Sequence, residues 1–246
     1  MEKQDDFVYD AWLAGLLGRD VYRISADDKF INKAGRSSSP AGRRLKELQA
    51  SKVFMYAKVP VANPGAVGFF EGHGFRLVDT NISLEKPVAK GSKVEGCASL
   101  RLVVPADRGP VAALAGRSFT YSRFHQDGSF PAGFAEKTRT EWVNGYFNGS
   151  RGDAMVVAVD GDEIIGFLLL IYGQDGRLII DLIAVAESHR RRGVAGDMIR
   201  YAETECRGFT GIRVGTQLAN LPSLRLYEGM GFKITAAQYT FHYHHG

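Results

Sequence analysis

A basic segment that contains small residues is the first candidate for a functional site. His189-Arg190-Arg191-Arg192-Gly193-Val194-Ala195-Gly196 follows an apolar run that ends at Val185, and apolar residues recur after it at helical spacing. Such a loop, opening a helix, aims backbone N–H groups and the positive end of the helix dipole at one point. Gly193 and Ala195 let a ligand approach the backbone closely. The segment predicts a pyrophosphate-binding loop, and a solvated basic turn is the alternative.

A second candidate lies further along the chain on a predicted helix. Asn220, Ser223 and Tyr227 stand at i, i+3 and i+7, so they share one face of that helix. The full pattern is N-x2-S-x2-L-Y-x3-G-F and ends at Phe232. A half-buried aromatic on an amphipathic helix is the structural alternative for Tyr227.

The same region is one half of an internal repeat. Residues 62–75 and 219–232 align without a gap and share Ala, Asn, Glu, two Gly and Phe. Phe70 stands where the second copy has Tyr227, so only the second copy carries a phenol hydroxyl. Chance similarity of two helix-to-strand turns is the alternative to a duplication.

The two motifs together resemble those of a known family. Arg190-x-x-Gly193-x-Ala195, followed by the helix motif, is similar to the GNAT superfamily of acyl-CoA-dependent N-acyltransferases, although Ser223 replaces the usual Ala. The resemblance covers about residues 98–246. It implies an α/β (α+β) fold, a mixed central sheet with helices on both faces. We expect a complete GNAT domain over 96–246 and a partial GNAT-like half over 1–90.

The resemblance also implies an enzyme with acetyl-CoA or another acyl-CoA as cosubstrate and no metal. It assigns to the cofactor site Ile183, Ala184, Val185, Arg190, Arg191, Arg192, Gly193, Val194, Ala195, Gly196, Asn220, Ser223 and Tyr227.

Direct attack of an amine on a thioester needs an oxyanion donor and a proton for the departing thiolate. Backbone N–H groups near Ala184 and Val185 are the expected oxyanion donors, because this strand is splayed open in the family that the sequence resembles. Tyr227 is the expected acid, since a phenol has a pKa near ~10 and a thiol near ~8.5.

The general base is less defined by the sequence. His125 is favoured by its ordinary pKa. Asp181 is favoured by its place inside an apolar strand, which is costly unless the carboxylate is paired or faces a cleft. Glu141 is a third candidate.

A narrower resemblance concerns the acceptor. The run from Phe119 to Asp127, followed by Trp142 on the next predicted helix, is similar to nucleotide-amino-sugar acyltransferases of the dTDP-fucosamine type, which serve polysaccharide biosynthesis. It implies an acceptor site made of Tyr121, Ser122, Arg123, His125, Asp127 and Trp142. The alternative is an ordinary helix-to-helix loop with Phe124 packed inward.

Composition limits the partners. The 246 residues carry a net charge of +4, with 45% hydrophobic and 24% charged residues, which excludes a disordered or collagenous chain. The longest apolar stretch is shorter than the ~20 residues of a membrane span, and the acidic N-terminus lacks a signal-peptide pattern. Two cysteines suit a reducing compartment. We therefore expect a cytoplasmic protein without nucleic-acid or membrane partners, and a homodimer stays open.

Two rival functions remain at this stage. One is a GNAT acetyltransferase acting on a protein N-terminus, a polyamine or an antibiotic amine. The other is a non-catalytic acyl-CoA-binding module, which the retention of Tyr227 opposite Phe70 disfavours.

Periodicity and turn residues also predict the elements of the second half. Strands are expected over 98–104, 155–159, 164–172, 178–185, 212–216 and 232–243, and helices over 111–119, 136–147, 194–206 and 223–228. A linker is expected over 86–96. His242 and His244 are expected on one exposed face of the last strand, where a metal pair is disfavoured.

Overall fold

The computed structural model describes residues 6–88 and 98–246. Within these residues the chain forms two compact units. The first contains 6–82, Gln126–Ser129 and Ala236–Gly246, and the second contains 83–88, 98–125 and Phe130–Thr235. The division of the chain into GNAT-like halves over 1–90 and 96–246 stays a prediction.

The strands of the described residues are β1 (Phe7–Tyr9), β2 (Asp20–Ile24), β3 (Val53–Pro60), β4 (Arg76–Pro87), β5 (Ser99–Leu102), β6 (Ala154–Asp160), β7 (Glu163–Tyr172), β8 (Arg177–Val185), β9 (Gly211–Gln217) and β10 (Lys233–His245). The helices are α1 (Ala11–Leu17), α2 (Asp28–Ala34), α3 (Pro40–Gln49), α4 (Pro64–Gly72), α5 (Arg108–Ser118), α6 (Arg123–Gln126), α7 (Phe134–Phe147), α8 (Val194–Glu205) and α9 (Leu221–Gly229). The long strands β4 and β10 each contribute to both units.

The first unit is built on a mixed sheet. β1 pairs antiparallel with β2, β2 pairs parallel with β3, and β3 pairs antiparallel with the C-terminal part of β10. β3 is buried along most of its length, and its side chains join those of α2, α3 and α4 in one core. Phe30, Phe70 and Phe241 are fully buried there, and burial of their rings stabilises this unit.

The second unit carries the longer series of strands. β5, β6, β7 and β8 form an antiparallel meander, and β8 pairs parallel with β9. β7 is buried from Ile164 to Leu170, as expected for a central strand. Helices α5 and α8 both pack on β7 and β8. The mixed α/β fold expected from the sequence is confirmed.

β8 contains a bulge, and beyond it the strand no longer pairs with its parallel neighbour β9. Leu182 lies opposite Leu169, but Ile180 lies opposite Leu170, so Asp181 is an extra residue on β8. Pairing with β9 covers only Arg177–Ile180, although β8 continues to Val185. The second half of β8 therefore diverges from β9, because a bulge bends the strand that contains it.

The internal repeat has a structural counterpart. α4 and α9 have nine residues each, and each begins after an asparagine whose side chain accepts a hydrogen bond from the third residue that follows. Two residues after each helix ends, a glycine has a positive φ, Gly74 at 78° and Gly231 at 85°. The aromatic residue that follows packs on Phe70 in the first copy and on Tyr227 in the second. The two helix-to-strand turns are the same local structure.

The elements predicted for the second half are confirmed within one to three residues at most ends. The predicted linker is wrong at its start, because β4 runs through Lys86 and Pro87. The rest of that segment, residues 89–96, lies outside the described residues, as do Cys97 and the first five residues. None of the helices in the described part of the chain is long and apolar enough to cross a membrane.

One buried ion pair joins β4 to α8 in the second unit. The Lys86 ammonium lies 2.6 Å from a carboxylate oxygen of Glu203, and their side chains are 8% and 1% exposed. Lys86 also lies over the ring of Phe232, 5.3 Å from its centroid. A charge buried this deeply strongly destabilises the fold when its counter-charge is absent, so each of the two residues requires the other.

We expect Glu203→Gln to lower the free energy of unfolding by about 3–5 kcal/mol, because Lys86 would stay buried without its counter-charge. The double variant Lys86→Met/Glu203→Leu should recover most of that loss. Urea unfolding of the wild type, of the single variants Lys86→Met and Glu203→Leu, and of the double variant measures the coupling. Equal losses in the single and double variants would contradict the pairing.

Candidate active site

The second unit contains a cavity of about 630 Å³ at the point where β8 and β9 diverge. It is bounded by the end of β8, the basic loop, the end of α5 and the start of α9. The residues that line it are Ser118, Phe119, Thr120, Tyr121, Ser122, Arg139, Ile183, Ala184, Val185, His189, Arg190, Arg191, Gly193, Val194, Ala195, Gly196, Gln217, Asn220, Pro222, Ser223, Arg225 and Leu226.

The start of α8 forms one wall of this cavity and suits a phosphate. Gly193 is the N-cap residue at φ 83°, and no side chain caps the helix. The N–H groups of the first turn are therefore left for a ligand, and they lie at the positive end of a helix of 12 residues. Gly193, Val194, Ala195 and Gly196 all line the cavity. This geometry fits the pyrophosphate arm of a coenzyme.

The three arginines of the loop differ in their surroundings. Arg190 lines the cavity, but its guanidinium donates to the backbone carbonyls of Val185 at 3.1 Å and Ser118 at 3.4 Å. Arg191 lines the cavity in a left-handed conformation, at φ 62°. Arg192 is exposed and does not line it. Arg190 thus ties the loop to β8 and α5.

The unpaired edge of β8 presents backbone donors to the gap. The N–H of Ala186 donates to Ile165 on β7 at 2.7 Å. Because successive N–H groups of a strand point to opposite edges, that of Ala184 points to β7, and those of Ile183 and Val185 point toward β9. β9 does not pair there, so Val185 N–H is the better placed of the two expected oxyanion donors.

Asn220 has a structural role that its position in the repeat explains. Its side-chain oxygen accepts from Ser223 N–H and its amide donates to Thr216, both at 3.3 Å. Asn63 caps α4 in the same way. Asn220 and Ser223 both line the cavity, and their contact with a cofactor stays a prediction.

Tyr227 lies at the back of the cavity wall. It is 2% exposed, packs on Phe232, and is not among the lining residues, although Leu226 and Ser223 are. Burial raises the pKa of the Tyr227 phenol well above its usual range, so its hydroxyl keeps its proton at neutral pH. No described residue hydrogen-bonds to that hydroxyl.

Asp181 is held by an ion pair. Arg151 binds both of its carboxylate oxygens, at 2.6 and 2.7 Å. Burial raises the pKa of Asp181, and Arg151 opposes that shift. Asp181 does not line the cavity, and its role as a base stays a prediction.

His125 reaches the cavity through a serine. Ser122 is 3% exposed and lines the cavity, and its hydroxyl lies 2.6 Å from Nδ1 of His125. Nε2 of His125 lies 3.9 Å from Glu136. Burial lowers the pKa of His125, with Glu136 opposing the shift and Arg139 adding to it. Ser122 and His125 thus form a pair suited to proton transfer.

The other residues expected at the acceptor site divide into two groups. Tyr121 lines the cavity and is 36% exposed. Arg123 and Trp142 do not line it; Arg123 stacks on Phe124, and Trp142 stacks with the guanidinium of Arg151 at 4.3 Å. Phe124 is 6% exposed, as the packing alternative for this segment expected. A short helix, α6, occupies part of it.

Asp127 belongs to the first unit, where it binds two histidines. One of its oxygens lies 2.6 Å from His242 Nδ1 and 2.8 Å from His244 Nε2. Burial opposes ionisation, but these hydrogen bonds hold the pKa of Asp127 far below its usual range. His242 is 1% exposed, so the expectation that it lies on an exposed face is wrong: the strand alternation is right, but that face is covered.

These three side chains have the composition of a metal site, and their ligand atoms lie within 4.8 Å of one another. Arg19 donates to Nδ1 of His244 at 2.6 Å. Since a guanidinium can only donate, His244 carries its proton on Nε2 and donates it to Asp127. The cluster is therefore a hydrogen-bonded chain from Arg19 through His244 to Asp127.

Sequence reasoning missed Arg139. It lines the cavity from α7 and is 9% exposed, and its guanidinium lies 4.9 Å from the ring centroid of Phe119 and 4.7 Å from that of Trp142. Its place three residues before Trp142 on one helix face was a usable signal, because a charge at core spacing needs an explanation.

The diverging strands and the uncapped start of α8 lie within a segment of the second unit that matches a known family. Residues 120–232 match the acetyltransferase (GNAT) family, so the chain carries a GNAT acetyltransferase domain. Acetyltransferases of this family take their acyl group from acyl-CoA.

Relatives with named roles are found among characterised proteins. The chain is 31% identical over 196 residues to the spore coat polysaccharide biosynthesis protein SpsD of Bacillus subtilis (strain 168), covering 78% of this chain and 66% of SpsD. It thus spans slightly less than two thirds of the length of that relative. It is 26% identical over 188 residues to the dTDP-fucosamine acetyltransferase of Escherichia coli O6:H1 (strain CFT073), covering 74% of this chain and 78% of that enzyme.

Solved structures share the fold at lower identity. A tandem GNAT protein from the clavulanic acid biosynthesis pathway superposes with a TM-score of 0.61 at 15% identity, covering 92% of this chain and 75% of that one. This likeness concerns the fold alone.

We expect Gly193→Ala to weaken CoA binding by about 10-fold or more, because a side chain at φ 83° is strained and shifts the N–H groups of the first turn of α8. Gly208→Ala is the matched control, since Gly208 also has φ 83° and does not line the cavity. Both variants should lose similar stability in thermal melts. Calorimetric titration with CoA should detect weaker binding in Gly193→Ala alone, and equal affinities would contradict a phosphate cradle.

Proposed function

We propose that this protein transfers an acyl group, acetyl in the first instance, from acyl-CoA to the amine of a nucleotide-linked amino deoxysugar. The observation that carries the transfer is the cavity between the diverging strands, which combines an uncapped helix start with free β8 donors. The acceptor class is supported by the two relatives, whose names concern polysaccharide biosynthesis and a dTDP-linked amino sugar.

Acyl-CoA supplies the thioester whose acyl group is transferred, and the residues of the chain hold and polarise it. The first turn of α8 binds the phosphates. The N–H of Val185 donates to the oxygen that becomes negative during attack, which is the larger part of the catalysis expected from this site. Both groups belong to backbone fixed by sheet and helix, so they need no reorganisation.

Two side chains handle protons. Ser122 accepts the proton of the incoming amine and passes it to His125, whose lowered pKa keeps it neutral and receptive at pH 7. Tyr227 returns a proton to the departing sulfur. The raised pKa of the Tyr227 phenol makes it a weaker acid, but the pKa of a thiol in the same apolar surroundings is raised as well.

The direct test is thiol release from acetyl-CoA with dTDP- and UDP-linked 3-amino and 4-amino 6-deoxyhexoses, beside spermidine, lysine peptides and an aminoglycoside. Turnover on a nucleotide sugar supports the proposal. Turnover on a peptide or polyamine alone would leave a GNAT acetyltransferase and reject the sugar. Stabilisation by acetyl-CoA without any turnover would favour a binding module.

We expect Tyr227→Phe to lower kcat by about 100-fold or more, because the thiolate then leaves without a proton donor. Its thermal stability should be unchanged or higher, since no described residue hydrogen-bonds to the hydroxyl and Phe70 packs in the equivalent position. Steady-state kinetics and thermal melts check both parts. Full activity in Tyr227→Phe would remove the acid role.

The rate should depend on pH through His125. A base must be neutral, and burial lowers the pKa of His125. We therefore expect kcat/KM to rise with pH, with a midpoint below about 6.5, and to reach a plateau above that midpoint. His125→Gln should lose this acidic limb and about 100-fold in rate. Ser122→Ala should lower the rate and keep the midpoint. A limb that persists in His125→Gln would assign the base elsewhere.

A further inference from the structure

Arg139 is a buried charge whose side chain is incompletely hydrogen-bonded. Its Nε atom is buried and makes no hydrogen bond to any described residue. Leaving a charged donor unsatisfied away from water is costly, so such groups are retained where a ligand completes them. Arg139 also lines the cavity, so a ligand there can reach the guanidinium.

The charged side chains that act on Arg139 include more cations than anions. Arg123 and Arg151 are close enough to oppose its ionisation, and Asp181 favours it. Both oxygens of Asp181 are engaged by Arg151, so that carboxylate compensates Arg151 first. Burial lowers the pKa of Arg139 to about 10, which still leaves it protonated at neutral pH.

The rings beside Arg139 fix the direction of its guanidinium. Phe119 and Trp142 lie on it at 4.9 and 4.7 Å, and cation–π contacts of this kind stabilise the charge without using its N–H groups. Those N–H groups form a planar fork that matches the oxygens of a phosphate. Tyr121 lines the same cavity and exposes an aromatic ring on which a nucleotide base can stack.

From this geometry we infer that Arg139 binds a phosphate group of the acceptor, and so selects nucleotide diphosphate-linked amines over uncharged or cationic ones. The inference rests on the proposed function for the identity of the acceptor. It assigns to α7 an anion subsite separate from the phosphate-binding start of α8.

The test uses dTDP, which carries the phosphates and lacks the amine, so that binding is measured without turnover. Calorimetry and thermal shift compare the wild type with Arg139→Met, which keeps the apolar stem, and with Arg139→Lys, which keeps the charge. Arg117→Met is the matched control, because Arg117 is an exposed arginine on α5 outside the cavity.

We expect dTDP affinity to fall about 10- to 100-fold in Arg139→Met, less in Arg139→Lys, and less than about 2-fold in Arg117→Met. CoA affinity should stay within about 2-fold in all of them. The unliganded Arg139→Met protein should melt at the same temperature as the wild type or higher, because it loses an uncompensated buried charge.

Other outcomes separate the inference from the proposed function. Loss of CoA affinity in Arg139→Met would overturn the inference, since the phosphate would then be that of the coenzyme. Absence of dTDP binding to the wild type, with turnover on a neutral amine, would also overturn it and leave the acyltransferase intact. Arg139-dependent dTDP binding without turnover on any sugar would support the subsite and reject the proposed acceptor.

Discussion

The divergence of β8 from β9 is the constraint on which the site depends. One extra residue, Asp181, interrupts the register with β7, and pairing with β9 stops at Ile180. The ion pair with Arg151 satisfies the carboxylate that the bulge buries. The divergence opens the cavity, frees the N–H groups of Ile183 and Val185, and leads β8 directly into the loop that starts α8. Had the strands stayed paired, those donors would be consumed by the sheet and the cavity would be closed.

The repeat shows how one local structure serves two purposes. Asn63 and Asn220 cap equivalent helices, and a glycine with positive φ ends each turn, so backbone requirements account for these identities. The difference between the copies is more informative. Phe70 fills its core position without a polar group, whereas Tyr227 buries a hydroxyl at a cost. This difference between the two copies supports the proposed acid role of Tyr227.

Three arginines of the second unit have different surroundings, which indicate different roles. Arg190 ties the basic loop to β8 and α5, and Arg151 neutralises Asp181. Arg139 has neither kind of partner among the described residues, and the aromatic rings beside it do not replace one. A buried cation that shares one carboxylate with a second arginine is only partly compensated, and an anionic ligand would complete it.

The sequence by itself determined the positions of the strands and helices in the second half, the loop at Gly193 that opens α8, and the resemblance to the GNAT acetyltransferases. Those features depend on periodicity, turn residues and motifs that span few residues. The tertiary structure alone decided which side chains meet. Asp181 pairs with Arg151, 30 residues away, and Asp127 binds His242, 115 residues away, so the first is fixed in the bulge and the second lies in the other unit. Burial of His242 and the exposure of Arg139 to the cavity were decided in the same way. Local spacing carries no information on such contacts, because they form only when distant segments pack together.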